Sequence, residues 1–118
     1  MSSTWEKLHS ATVELAGVGP IKHRLFGAYM NHLSSLDSEQ LPKEIRDDFS
    51  SFTRAMRAVR PLPGEDAVRA TVRKMSDYEA NQYAVQIVNM LGTVSRVQMG
   101  TRSSVAGASV VQLYAAEG

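Results

Sequence analysis

Residues 76–99 read SDYEANQYAVQIVNMLGTVSRVQM, and the sixteen positions from Ala80 to Ser95 carry no charge in a chain where 21% of residues are Asp, Glu, Lys or Arg. Ser76 with Glu79 three residues on is a capping-box pattern: the hydroxyl accepts from the backbone N–H of Glu79 while the Glu79 carboxylate accepts from the N–H of Ser76. Asp77 and Glu79 also suit the positive end of a helix dipole. Ala80, Tyr83, Ala84, Ile87, Met90, Leu91, Val94 and Val97 then recur at steps of three and four. This spacing puts them on one face of a helix running to about Met99, with Gly100 as its stop.

The opposite face carries Gln82, Gln86, Asn89 and Thr93 where a solvated helix would show Lys and Glu. Amides can be buried at less cost than charge, provided each donor and acceptor finds a partner. Two expectations follow. Either the chain's own helices surround this element, with the amides hydrogen-bonded or at wet edges, or these four residues form a self-association surface in which Asn or Gln sets register. A membrane span is not expected, because the run falls short of about 20 apolar residues and includes four Asn or Gln.

The flanking sequence divides into further helices. Ser3 and Glu6 repeat the capping-box pattern ahead of Trp5, Leu8, Thr12, Leu15 and Ala16, which predicts a helix over 4–16 ended by Gly17 and Gly19. Pro20 opens a second helix to about Leu36 and Pro42 a third, since proline suits a first turn. Asp37 to Gln40 is read as a short polar loop between them. In the third, Ile45, Phe49, Phe52, Met56 and Val59 share a face; Glu44, Asp47 and Asp48 precede Arg54, Arg57 and Arg60, the order the helix dipole favours. Pro61-Leu62-Pro63-Gly64 breaks the pattern. A short fourth helix follows from Glu65 and Asp66, with Val68, Thr71, Val72 and Met75 inward.

The expected fold is all-α: a small bundle of four to five helices, mainly antiparallel because the connections are short, with a long C-terminal central helix. Residues 1–99 form the bundle domain and 100–118 a flexible or partner-docked tail. At 118 residues, 43% hydrophobic and with formal charge +1, the chain has no global electrostatic case for a nucleic-acid partner. The absence of cysteine removes disulfide and thiolate chemistry and suits a reducing cytoplasm. Charges at Glu6, Lys7 and Glu14 interrupt what a signal peptide would need. Nine Arg against four Lys, with frequent Ala and Val, fits a GC-rich bacterial source.

No catalytic, cofactor-binding or metal-ligating residues are assigned. His9, His23 and His32 lack the i, i+4 spacing that presents two ligands on one helical face, and no HExxH pattern occurs. Gly17-Val18-Gly19 is a helix terminator with no preceding strand, and neither a nucleophile elbow nor a P-loop is present. A basic run remains: six positive and two negative residues lie between Arg54 and Lys74. Arg54, Arg57, Arg60, Arg69 and Arg73 are the residues expected to meet an acidic protein partner or, as the alternative, the phosphates of nucleic acid. The join at Met75-Ser76 is too tight for a helix-turn-helix. The function expected is a non-catalytic helical protein–protein interaction module that self-associates as a homo-oligomer.

Overall fold

Caps and prolines divide the chain into five α-helices in the computed structural model, which describes residues 3–106, with side chains for residues 4–98. These are α1 (Ser3–Leu15), α2 (Ile21–Ala28), α3 (Lys43–Met56), α4 (Ala67–Lys74) and α5 (Asp77–Ala106), and no strand occurs among the described residues. The fold is the expected all-α bundle.

Between α1 and α2 the chain turns at Gly19, whose φ of 105° belongs to the left-handed region that favours glycine. Pro20 follows in extended geometry as the residue before the first turn of α2. α2 passes without a break into a π-helical turn at Tyr29–Leu33. Asp37 to Gln40, expected as plain loop, instead forms a 3-10 turn over Ser38–Gln40, closed by a capping box from Asp37. α4 is capped by the Asp66 side chain, which accepts from the Arg69 N–H at 2.8 Å.

Three helix ends differ from expectation. The second helical stretch, expected to about Leu36, closes with the π-helical turn at Leu33. α3 stops at Met56, short of Val59 and Arg60, because Arg57 leaves helical geometry (φ −115°, ψ 13°). The Val59 N–H then donates to Thr71 Oγ1 at 3.0 Å, tying the loop to α4. α5 continues through Gly100 to Ala106. One glycine costs a helix interior about 1 kcal/mol, which is not by itself a stop. Of the expected tail, residues 107–118 lie outside the described residues.

Cross-links between helices give their directions. Lys7 reaches Ser35, Glu14 reaches Asn31, and Arg24 donates back to the Leu15 carbonyl, so α1 and α2 run antiparallel. Arg69 lies over Phe26 and Lys22 donates to the Arg73 carbonyl, so α2 and α4 do likewise. Gly27 leaves room for the Glu14 carboxylate, which a Cβ there would displace.

The core sits between α5 and the other helices. Leu8, Leu25, Ile45, Phe49, Phe52, Met56, Val68, Ile87 and Val94 are all but fully buried, each side chain contributing about 1.5–3 kcal/mol of apolar burial. Phe52 is the aromatic centre, with the rings of Tyr29, Phe49 and Tyr83 at 5.9, 6.4 and 6.0 Å. The buried Thr71 hydroxyl is satisfied by the Ala67 carbonyl at 2.7 Å. Among the described residues no buried side-chain nitrogen or oxygen lacks a partner.

Candidate functional site

α5 begins as its sequence dictates: Ser76 Oγ accepts from the Glu79 N–H at 3.0 Å and the Glu79 carboxylate from the Ser76 N–H at 2.9 Å. From there the inner stripe, Ala80, Ala84, Ile87, Met90 and Val94, is buried by the other helices. The amide stripe is not. Gln82, Gln86 and Asn89 are exposed and Thr93 is half-buried. Val85 and Val88 join them at 46% and 45% exposure, with Tyr78 at 71%.

The polar contacts on this face stay within the helix. Gln82 Nε2 donates to Tyr78 Oη at 2.9 Å, and Arg96 donates to Thr93 Oγ1 at 3.1 Å. Gln86 and Asn89 make no side-chain hydrogen bond among the described residues. Beside the stripe runs a groove of about 310 Å³ between α5 and α3, lined by Asp48, Ser51, Gln86, Asn89, Met90 and Thr93. The structure therefore brings Gln86, Asn89 and Thr93 to one groove and leaves Gln82 one turn away, on the same outer face.

The five arginines are distributed differently. Arg54 and Arg60 are exposed. Arg57 lies 5.7 Å from the Tyr29 ring centroid and donates to its hydroxyl at 3.3 Å, while Tyr29 Oη also pairs with Thr53 Oγ1. Arg69 sits 4.5 Å over Phe26. Arg73 forms two hydrogen bonds to the Glu65 carboxylate, at 2.9 and 3.0 Å. Those bonds, with a backbone donation from Leu62, hold the Glu65 carboxyl down at about 2 and raise Arg73. A cleft of about 450 Å³ between α2 and α4 is floored by Phe26 and Val72 and rimmed by Lys22, Arg69 and Arg73. Each of those three cations already has an intramolecular partner.

Two of the histidines acquire neighbours, and one of these spacing alone does not reveal. His32 Nε2 meets Glu14 Oε1 at 2.8 Å across the α1–α2 contact, and His9 stacks on Trp5 with centroids 4.8 Å apart. Residues eighteen apart on two helices share no local pattern, so Glu14 and His32 carry no joint signal in the sequence. No group of three potential metal ligands occurs among the described residues. No helix there is long and apolar enough to cross a membrane.

Comparison with protein-family models, curated proteins and solved structures finds no match to this chain.

Proposed function

We propose that this chain is a non-catalytic helical interaction module that pairs with a second copy of itself through the outer face of α5. The observation that supports this most is the exposed, uncharged stretch of that face, from Asn81 to Thr93, with Val85 and Val88 in its middle. α3 shows what a solvated helix of this protein looks like: its exposed positions hold Lys43, Glu44, Arg46, Asp47, Asp48 and Arg54, with Ser51 as the uncharged exception. α5 exposes amides and valines instead, which desolvate more cheaply than charge and can bond to identical amides opposite. Asn89, between Val85 and Val88 and the groove, is suited to fixing the register of such a pair. The arginine surface supports the proposal less, since Arg57, Arg69 and Arg73 already hold partners within the chain.

The test is the double variant Gln86→Lys with Asn89→Glu, read by solution mass and circular dichroism. Both positions are exposed, so stability changes by no more than about 0.5 kcal/mol per site. Association weakens at least tenfold while helicity holds. A folded variant that associates as the natural chain does would contradict the proposal.

A further inference from the structure

The order of residues along α5 also carries a direction. Tyr78, Gln82, Val85, Asn89, Gly92 and Arg96 follow one another at alternating steps of four and three, forming one narrow line down the outer face. Val88 flanks this line on one side and Gln86 on the other, the Gln86 side facing the groove with α3. The line is charged at both ends, and the ends differ. Asp77 and Glu79 surround its beginning, Arg96 closes it, and the middle is neutral.

Resting on the self-pairing reading above, we propose that two α5 helices pack antiparallel about a two-fold axis between Val85 and Asn89. A parallel pair would set acid against acid and Arg96 against Arg96. An antiparallel pair sets each Arg96 against the partner's Asp77, Tyr78 and Glu79. Among the registers that bring one line onto the other, this one alone does so at both ends. Shifting by one heptad in one direction carries Arg96 beyond the start of the partner's helix; shifting the other way places it over the partner's Val85. The same register puts Gln82 opposite the partner's Gly92, where the missing side chain leaves room, and Val85 opposite the partner's Asn89.

A two-fold axis perpendicular to the helices keeps each flank on its own side. Val88 therefore meets the partner's Val88, and Gln86 meets the partner's Gln86 as a self-complementary amide pair. In a parallel pair the two Val88 residues would lie on opposite sides, and the two Tyr78 residues would face each other. In the antiparallel pair the two Tyr78 residues are eighteen helical positions apart, roughly 27 Å.

Because the chain has no cysteine, single-thiol variants report this arrangement directly. Val88→Cys and Tyr78→Cys, both at exposed positions, are treated separately with a short bismaleimide after each is checked for helicity and solution mass. The antiparallel pair predicts covalent dimer from Val88→Cys and none above a random-collision control from Tyr78→Cys. Cross-linking of Tyr78→Cys, without that of Val88→Cys, would overturn the direction proposed here and leave self-association standing. A dimeric mass with neither variant cross-linking would place the interface away from this line and overturn the proposal. A monomeric mass at every concentration would remove the self-pairing reading itself.

Discussion

The indole Nε1 of Trp5 donates to Ser95 Oγ at 2.9 Å, joining residues ninety positions apart and fastening the start of α1 to the second half of α5. The same indole stacks on His9, so its orientation is set from both sides. Ser95→Ala is expected to destabilise by about 1 kcal/mol, the net worth of one partly buried hydrogen bond. Trp5→Phe loses that bond together with apolar area and costs more. In a double-mutant cycle followed by urea denaturation, the two substitutions should couple, because each removes the same bond. Strict additivity would mean that the bond contributes nothing to stability.

Phe52 joins α3 to both the π-helical turn that follows α2 and α5, through Tyr29 and Tyr83. Its side chain is 1% exposed. Phe52→Ala should lower stability by about 3–5 kcal/mol, a large part of what a domain of this size possesses. Phe52→Leu retains most of the volume and should cost distinctly less. Equal losses for the two, measured by chemical denaturation, would show that the cavity is not the cause.

The Glu65–Arg73 pair gives a pH dependence whose sign is fixed. Arg73 and the Leu62 N–H hold the folded carboxyl at about 2, against roughly 4.3 for a free Glu. A lowered folded pKa means that the contribution is complete above about pH 5, declines as pH falls from about 4.5 towards 2, and is absent below that. Melting temperatures of the natural chain and Glu65→Gln should therefore differ by a constant amount from pH 5 to 7 and converge on acidification. Salt should shrink the difference, because Arg73 is 42% exposed and the pair is screened. A gap unchanged from pH 7 to pH 2 would remove Glu65 as its source.

Features that depend on local spacing were legible in the amino-acid order. The Ser76–Glu79 capping box, the inward set from Ala80 to Val94, and Phe49, Phe52 and Met56 on one face of α3 all need only periodicity and side-chain reach. Features that depend on distant partners were not. α3 ends early as Val59 turns to Thr71, twelve residues away, and Glu14 finds His32 on another helix. The candidate site falls between these cases. Periodicity separates the stripe of Gln82, Gln86, Asn89 and Thr93 from the apolar one, but it does not say whether a neighbouring helix covers it. That depends on how α1, α2 and α3 pack on α5, which leaves Gln86 and Asn89 open to solvent beside a groove.

Light scattering behind size exclusion, across a tenfold range of concentration, tests the central claim most directly. The account predicts a mass of twice the 12.9 kDa chain, relaxing towards a single chain on dilution and shifted to a single chain by Gln86→Lys with Asn89→Glu. A mass of 12.9 kDa at every concentration would contradict it, and the uncharged outer face of α5 would then not be a surface for a second copy.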